Sequence, residues 1–380
     1  MILLGCLIVL LAAGLAERLA LARARRAVPI RIQVNGTRGK STVTRLVAAA
    51  LREAGIPTMA KVTGTEPRLI LPDGSEQPIR RLAPATIREQ AWALRQARRH
   101  GARALVAECM AIRPELQWTS ERDILQSTLG VITNARLDHT EVMGRTVEEV
   151  ARSLANTVPQ RGVLVTGDRR SASVFAERCA SEGTRLVVAD DGRGDAGVAP
   201  EPVCLAVARE LGVDEATARR GMCRAAPDPG AATSGEATVA GRRIDWIDLT
   251  AANDPESTDL LVERWRGRPR GLAEDQFEEP GRAGAVICVY NHRDDRPERL
   301  ATFARSCRTL AAAAELLITG DHAALPLVRG ARRACRGPVS LVPSTRLATV
   351  LARALDRQPS ATRIVYCGNT RRFVRPILDR

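Results

Sequence analysis

The strongest constraint on the fold is a glycine-rich loop that joins a short strand to an amphipathic helix. Residues 30–34 alternate as a β-strand, and apolar residues recur at helical spacing from Val43 onward. Between them the chain reads Asn35-Gly36-Thr37-Arg38-Gly39-Lys40-Ser41-Thr42. A helix that begins directly after such glycines has backbone N–H groups and a positive dipole end suited to phosphate groups. The sequence therefore predicts an α/β fold with a phosphate-binding loop.

Each polar residue of this loop has a predicted part in binding ATP. Lys40 reaches the β- and γ-phosphates, and Ser41 ligates Mg²⁺. The strict P-loop spacing fails, because Val34 stands where the first glycine is expected, so the motif is the shorter G-T-x-G-K-[ST] form. The alternative is a simple strand-to-helix turn. The predicted ATP-binding residues of the loop are Gly36, Thr37, Arg38, Gly39, Lys40, Ser41 and Thr42.

The basic residues of the chain are almost all arginines. Only Lys40 and Lys61 are lysines among its 57 Lys and Arg residues, which indicates that a compact ammonium group is needed at Lys40. The formal net charge of +14 favours a polyanionic partner, which can be nucleic acid, anionic lipid or an acidic polymer. Aromatic residues make up 3% and are not interleaved with arginines, so the stacking surface of a single-strand binder is missing. We predict no nucleic-acid partner.

Polar residues follow two further predicted strands. Glu108 ends the strand at residues 104–107, and Asn134, Asp138 and His139 follow the strand at residues 130–133. Ligands bind at the carboxyl ends of parallel strands, so we expect these side chains near the loop. Glu108 and His139 are predicted Mg²⁺ ligands with Ser41, and Asn134 a contact to nucleotide or substrate. Taken singly, Glu108 is equally consistent with a solvated or capping residue, and His139 with a structural one.

A second α/β unit is predicted after a stretch rich in Ala, Pro, Gly, Ser and Thr. The cluster Asn291-His292-Arg293-Asp294-Asp295-Arg296 follows its strand at residues 285–290. Arg293 and Arg296 are predicted to neutralise charge on the γ-phosphate, and Asn291 and Asp295 to bind nucleotide, Asp295 through a ribose hydroxyl. The alternative is a solvated loop with an internal salt bridge.

The N-terminus combines an uncharged apolar run with a basic flank. Residues 1–16 are mostly Leu, Ile, Val and Ala, and Arg18, Arg23, Arg25 and Arg26 follow them. Positive charge after the run predicts an uncleaved membrane anchor with the rest of the chain in the cytoplasm. Sixteen residues are short for a span, so a helix in the membrane interface, or packed on a partner's membrane segment, is the alternative. The predicted divisions are a membrane anchor (1–27), a central ATP-binding domain (28–222), a linker (223–242) and a C-terminal domain (243–380).

The loop, Glu108 and residues 133–139 resemble the Mur ligase superfamily of ATP-dependent ligases. Within it, the chain resembles the poly-γ-glutamate synthases, which build a capsule polymer. The segments that carry this second resemblance are residues 81–90 (RLAPATIREQ), 138–144 (DHTEVMG), 251–257 (AANDPES), 291–296 and 367–369 (CGN).

The resemblance implies a P-loop-containing, Mur-ligase-like central domain with a parallel-rich sheet and a Rossmann-like C-terminal α/β domain. ATP would phosphorylate the γ-carboxylate of a glutamyl chain end, and the amino group of an incoming glutamate would attack the acyl phosphate, releasing ADP and phosphate. The implied catalytic residues are Lys40, Glu108, His139, Arg293 and Arg296. The implied partners are glutamate, the growing chain, and integral-membrane subunits of a synthase complex.

One position departs from the superfamily. Several members carry a carbamylated lysine beyond the Asp-His pair, where Leu154 stands here, and no lysine follows Lys61. The number of Mg²⁺ ions is therefore left open. Two other functions remain as alternatives: a folylpolyglutamate-type or other amino-acid ligase of the same superfamily, and a non-catalytic ATP-binding membrane switch.

Overall fold

The computed structural model divides into two compact units, which comprise residues 1–229 and 230–380. The structure describes residues 2–64, 67–81, 85–189, 200–228, 232–239, 241–250, 254–266, 285–294, 297–321 and 325–369.

Unit 1 is an α/β unit with one twisted sheet. Its strands are β1 (Ile30–Asn35), β2 (Thr58–Val62), β3 (Arg68–Ile70), β4 (Glu76–Pro78), β5 (Ala104–Glu108), β6 (Leu129–Ile132), β7 (Val163–Thr166) and β8 (Arg185–Val188). Its helices are α1 (Ile2–Ala27), α2 (Lys40–Glu53), α3 (Arg88–Arg99), α4 (Pro114–Thr119), α5 (Thr140–Met143), α6 (Val147–Leu154), α7 (Ala172–Glu182), α8 (Pro200–Glu210) and α9 (Glu215–Cys223). A π-helical turn, Ser120–Leu125, continues α4, and a 3₁₀ turn, Ala155–Thr157, continues α6.

The strand order of this sheet puts the glycine-rich loop at its centre. The order is β4-β3-β2-β5-β1-β6-β7-β8, and all neighbours are parallel except β2 with β3 and β3 with β4. β1 lies between β5 and β6, so the chain changes direction across the sheet at the end of β1. Such a switch point is where an open α/β sheet forms a crevice for ligands. The strands β3 and β4, which form the antiparallel edge, were not predicted from the sequence.

The two faces of β1 are chemically different. Ile32 and Val34 pack into an apolar core with α2, α8 and α9, whereas Gln33 and Asn35 point to the opposite face and are also buried. Helix α6 is capped by Thr146, whose hydroxyl accepts from the N–H of Glu149 while the Glu149 carboxylate accepts from the Thr146 N–H.

Helix α1 is packed only over its last third. Leu21 and Ala24 are buried beside α3, whereas the large apolar side chains from Leu4 to Leu19 are exposed, from 46% at Leu19 to 70% at Leu10. In the part of the chain that the structure describes, no helix meets the length and hydropathy needed to cross a membrane.

Two arginines hold the end of α1 to the π-helical turn. The Arg25 guanidinium donates to the carbonyl oxygen of Ile124 at 2.9 Å, and Arg31 donates to those of Val28 and Gln126, both at 2.9 Å. Each contact places a cation at the C-terminal end of a helix, where the exposed carbonyl groups favour positive charge.

Glu121, in this turn, gives the fold a predicted pH dependence. It is 1% exposed, and burial raises its pKa to about 7, although hydrogen bonds from Ser127 act in the opposite direction. Between about pH 4.5 and 7 the folded chain therefore keeps a proton that the unfolded chain releases, so stability falls as the pH rises through this window. Glu121→Gln, which is neutral at every pH, should flatten the fall in Tm between about pH 5 and pH 8. The exposed Glu115→Gln serves as the control, and an unchanged Tm profile in Glu121→Gln would contradict the assignment.

Unit 2 has a second sheet with helices on both faces. Its strands are β9 (Thr233–Val239), β10 (Arg242–Asp248), β11 (Ala285–His292), β12 (Glu315–Gly320), β13 (Val339–Leu341) and β14 (Ala361–Gly368). Its helices are α10 (Pro255–Arg266), α11 (Pro297–Ser306), α12 (Arg308–Ala311), α13 (Leu325–Ala334) and α14 (Leu347–Arg357). The order is β13-β12-β11-β14-β10-β9, parallel except for β9. Helices α10, α11 and α13 pack on one face, and α14 packs on the other.

The segment predicted as a linker, residues 223–242, contains β9, which pairs antiparallel with β10. Its small and polar residues do not show the apolar pattern of a buried strand. Between α11 and α12 the chain is interrupted at Cys307, because the buried Asp259 carboxylate accepts from the N–H groups of Arg308 and Thr309 and so starts α12.

Candidate functional site

The glycine-rich loop adopts a conformation that requires glycine. Gly36 has φ of 129°, and a Cβ there would lie 2.1 Å from the Thr133 hydroxyl oxygen. Gly39 has φ of 76° and precedes the first residue of α2. L side chains rarely adopt either conformation. The loop thus presents its backbone at the N-terminal end of a helix of 14 residues, as phosphate binding requires.

Residues after β6 support the loop. The Thr37 hydroxyl donates to Asn134 Oδ1 at 2.7 Å, and the Arg38 N–H donates to the same oxygen at 3.1 Å. The Thr133 hydroxyl donates to the Arg38 carbonyl oxygen at 2.6 Å. The carboxamide oxygen of Asn134 therefore holds the loop in place. Its predicted contact to nucleotide or substrate stays a prediction.

Lys40 lies at the start of α2, inside the curve of the loop. Its ammonium donates to the carbonyl oxygen of Gly36 at 2.7 Å and to that of Thr37 at 3.3 Å. Burial lowers the pKa of Lys40, and the carboxylate of Glu108 opposes this shift. The ammonium is therefore close to the loop backbone and electrostatically coupled to the end of β5.

Glu108 and Ser41 meet as predicted. The Ser41 hydroxyl donates to Glu108 Oε2 at 2.8 Å, and the backbone N–H of Thr63 donates to the same oxygen at 2.7 Å. Glu108 is 3% exposed. A hydroxyl and a carboxylate are both hard oxygen donors, which suit Mg²⁺ that also binds phosphate. Among the residues that the structure describes, no group of three or more His, Cys, Asp or Glu side chains could hold a metal ion.

His139 lies directly before α5, beside the carboxylates of Asp138 and Glu141. It has φ of 46°, and its Nδ1 is 3.5 Å from a carboxylate oxygen of Glu141. Asp138 pairs with Arg38 at 3.1 Å. No contact among the described residues joins His139 to Ser41 or Glu108, so metal ligation by His139 stays a prediction.

Asp168 is a supporting residue that the sequence predictions missed. It follows β7, is 4% exposed, and its Oδ2 accepts from the N–H of Ala135 at 2.8 Å while Oδ1 accepts from that of Ser171 at 3.2 Å. It thus holds the segment from Asn134 to His139 near the end of β6. Its position shortly after the apolar run at residues 163–165 was the available signal.

A buried polar layer lies beneath the loop and was also missed. The Asn35 carboxamide donates to Gln117 Oε1 at 2.9 Å and to the Thr157 hydroxyl at 3.2 Å, and Gln33 donates to the Ser120 hydroxyl at 3.0 Å. Gln117 donates in turn to the Ser153 hydroxyl at 3.3 Å. These bonds tie β1 to α4, to its π-helical turn and to the end of α6. A connected layer of hydrogen bonds favours a single conformation of Asn35, the residue directly before the first glycine of the loop.

The second lysine and the Leu154 position are both buried. Lys61 is fully buried, and its ammonium lies 3.5 Å from a Glu89 carboxylate that Arg81 also binds, at 2.7 and 3.0 Å. Leu154 is 1% exposed in an apolar cluster with Ile132 and Phe175. The side chain at position 154 thus packs in the core.

In unit 2, the predicted polar cluster lies at the carboxyl ends of the central strands. Asn291 is buried and donates to the backbone carbonyl of Asn369, whose side chain donates back to the Asn291 carbonyl oxygen at 3.0 Å. Arg299 donates to the carboxamide oxygen of Asn369. Arg293 is half-buried, and Asp295 and Arg296 lie outside the described residues. The nucleotide and phosphate contacts assigned to Asn291, Arg293, Asp295 and Arg296 stay predictions.

Comparison with known proteins assigns both units. Residues 34–196 match the Mur ligase middle domain, and residues 236–380 match the C-terminal domain of poly-γ-glutamate synthase CapB. The PGA synthase CapB of Bacillus subtilis is 35% identical over 326 residues, which cover 82% of this chain and 80% of that protein. The chain belongs to the poly-γ-glutamate synthase CapB family.

A second CapB and a solved fold agree with this assignment. The capsule biosynthesis protein CapB of Bacillus anthracis is 38% identical over 312 residues, covering 79% of this chain and 65% of that protein. The structure of E. coli FolC in complex with DHPP and ADP matches with a TM-score of 0.62 at 18% identity, over 93% of this chain and 89% of that one. At this identity the likeness shows the fold alone.

The family assignment confirms the predicted fold, the predicted class of enzyme and the predicted reaction. The fold is a P-loop-containing, Mur-ligase-like α/β domain followed by a Rossmann-like domain, and this CapB-family chain is an ATP-dependent amide ligase that polymerises glutamate through γ-carboxyl linkages. Since members of the family are ligases, a non-catalytic switch is disfavoured. The folylpolyglutamate-type alternative is supported less well, because the long matches at 35% and 38% identity are to CapB proteins.

Proposed function

We propose that unit 1 carries out the phosphorylation step of γ-glutamyl polymerisation, with ATP at the loop Gly36–Thr42 and Mg²⁺ at Ser41 and Glu108. The observation that carries this assignment is the 2.8 Å contact between Ser41 and Glu108 at the start of α2. It joins the end of β5 to the phosphate loop, so an ion held there would lie next to the phosphates of a bound nucleotide.

The oxygen donors of Ser41 and Glu108 are suitable ligands for Mg²⁺. Mg²⁺ is bound in such sites by one or two oxygen ligands from the protein, together with phosphate oxygens and water. When bound, the ion neutralises negative charge on the phosphates. The Thr63 N–H orients the Glu108 carboxylate, and Lys40 supplies a second positive charge from the loop.

The ligase reaction then proceeds in two steps, phosphorylation of the carboxylate and formation of the amide. A γ-carboxylate oxygen of the glutamyl chain end attacks the γ-phosphorus of ATP; the bond to the bridging oxygen breaks, and ADP leaves with its electron pair. The amino group of the next glutamate attacks the acyl carbon, loses a proton, and phosphate leaves. Phosphoryl transfer of this kind depends on positioning and charge stabilisation, which Lys40 and the loop N–H groups can provide.

Glu108→Gln tests the metal assignment. The amide keeps an oxygen for Ser41 and Thr63 but removes the negative charge, so we expect about tenfold or more weaker binding of Mn²⁺, used as a spectroscopic probe, in the presence of an ATP analogue. Turnover with Mg²⁺ should fall in parallel, while Tm stays close to the wild-type value. The exposed Glu115→Gln, whose carboxylate pairs only with Arg113 among the described residues, is the control. Equal Mn²⁺ affinity in wild type and Glu108→Gln would place the ion elsewhere.

We further propose that the exposed apolar part of α1 associates with the bacterial cell membrane and with integral-membrane subunits of a synthase complex, with both units in the cytoplasm. A helix that is apolar all round and unpacked, as from Leu4 to Leu15, is stable in an apolar medium. Arginines follow this part, which favours a cytoplasmic location for the rest of the chain.

Substituting the exposed apolar positions of α1 tests this location. Changing Leu7, Ile8, Leu11 and Leu15 together to Asn should move the protein from the membrane fraction to the supernatant, because burying each carboxamide in lipid is unfavourable. The same positions changed to Met are the control and should stay with the membrane. Since Leu21 and Ala24 still pack beside α3, ATP binding should persist in both variants. Retention of the Asn variant in salt-washed membranes would refute the proposal.

A further inference from the structure

Helix α13 has a basic outer surface. Val328 and Ala331 are buried in the core of unit 2, and α13 contains no acidic residue. The opposite face and the turn after it expose the arginines Arg329, Arg332, Arg333 and Arg336. The spacing i, i+3, i+4, i+7 places them along one side of the helix axis, over about 10 Å. We call this set the α13 arginine face.

The charges of this face are not neutralised by neighbours in the described part of the chain. In α6 and α9, by contrast, Arg152 pairs with Glu148 and Arg219 with Glu215, each one turn away. Residues 325–338 contain neither Asp nor Glu, and no ion pair among the described residues involves the arginine face. Arg332 donates only weakly, to the Val339 carbonyl oxygen at 3.4 Å. Four adjacent like charges destabilise the helix slightly, so an anionic partner would be favoured.

We propose that the α13 arginine face binds the polycarboxylate chain that the enzyme makes. The inference rests on the γ-glutamyl polymerisation described above. When the γ-carboxyl of each glutamate enters an amide bond, its α-carboxylate remains free, so the product carries one negative charge per residue. Guanidinium groups bind carboxylates through paired N–H donors. A row of four such groups can contact several residues of one extended chain.

Two other polyanions fit this face less well. Single-stranded nucleic acid is bound with aromatic stacking, and residues 325–338 contain no aromatic side chain. A helix that lies on anionic lipid inserts its apolar face, but the apolar face of α13 is buried in the core by Val328 and Ala331. Binding of a polycarboxylate chain requires neither aromatic stacking nor an exposed apolar face.

Holding the product would change how many residues are added before release. The contacts are surface ion pairs, individually weak and screened by salt, but several together slow dissociation of a long chain. A monomer or a short oligomer makes too few contacts to benefit. The arginine face should therefore affect polymer length and leave the chemical step unchanged.

The test compares two full-length variants of equal net charge. One carries Arg329→Gln, Arg333→Gln and Arg336→Gln; the control carries Arg103→Gln, Arg145→Gln and Arg243→Gln, which are exposed and scattered. Binding of fluorescent poly-γ-glutamate, measured by anisotropy, should weaken about tenfold in the first variant and less than about twofold in the control, with the difference lost in about 0.5 M NaCl. Membranes with the first variant should make shorter polymer, at an unchanged initial rate of ADP release.

Every other outcome rejects the inference. Equal losses in the two variants would mean that net charge alone attracts the polymer. Loss of binding to anionic vesicles or to DNA, with polymer binding retained, would assign the face to that partner. Wild-type protein that makes polymer but does not bind it would reject the arginine face and leave the ligase function intact. Failure of the function itself would appear separately, as an absence of glutamate-dependent polymer in wild-type membranes.

Discussion

Lys40→Ala is expected to lower glutamate-dependent ADP release by roughly a hundredfold to a thousandfold, equivalent to about 3 kcal/mol or more of transition-state stabilisation. The Lys40 ammonium lies 2.7 Å from the Gly36 carbonyl oxygen, at the centre of the phosphate loop. Its removal takes away the positive charge that the loop offers to the transferring phosphate. Steady-state release of ADP with glutamate, ATP and Mg²⁺ in membranes measures the effect.

Lys40→Arg is the informative companion. It keeps the positive charge, but a planar guanidinium on a longer side chain cannot occupy the site of a compact ammonium, so we expect only partial recovery. Tm of both variants should remain near the wild-type value, which separates a catalytic defect from unfolding. Near-normal turnover in Lys40→Ala would mean that the phosphates of ATP bind somewhere other than this loop.

Gly36→Ala should abolish measurable ATP binding, for a steric reason. The added Cβ would lie 2.1 Å from the Thr133 hydroxyl oxygen and 3.0 Å from the Thr133 backbone nitrogen, at a φ of 129° that alanine rarely adopts. The loop must therefore move away from β6, and its contacts with Asn134 break. Calorimetric titration with a non-hydrolysable ATP analogue measures the loss.

Gly55→Ala is the matched control for this change. Gly55 also has a positive φ, 75°, but a Cβ there would meet nothing within 4 Å. Alanine should therefore cost only about 1–2 kcal/mol of folding stability and leave ATP affinity unchanged. If Gly36→Ala bound the analogue as tightly as Gly55→Ala, the close approach of the loop to Thr133 would have no functional importance.

The parts of the site that sequence alone predicted are those encoded over short stretches. The loop from Gly36 to Thr42 needs only glycines, a lysine and a hydroxyl between a strand and a helix. The meeting of Ser41 with Glu108, 67 positions apart, followed from the rule that parallel strands end at one edge. Likewise, Asn291 was placed at the edge of the second sheet by the strand before it. Local pattern and one topological rule were sufficient for these residues.

The parts that were missed depend on partners far apart in the chain. Nothing near Asn35 in sequence indicates that Gln117 and Thr157 will receive its carboxamide hydrogens. The hydrogen bonds that Thr37 and Arg38 donate to the Asn134 carboxamide were likewise not predicted, while its contact to nucleotide or substrate stays a prediction. β9 was taken for a linker because edge strands need no apolar alternation. In each case the structure is determined by contacts between segments that are far apart in the sequence.

The alternation along β1 has a consequence for how accurately the loop is placed. A shift of this strand by one residue would turn Gln33 and Asn35 into the apolar core and bring Ile32 and Val34 against the polar side chains beneath the loop. Each unpaired buried carboxamide would be unfavourable by about 1–3 kcal/mol. The strand therefore has a single acceptable alignment with β5 and β6, so the distance between the first glycine of the loop and the carboxylate of Glu108 is set during folding, before any nucleotide binds.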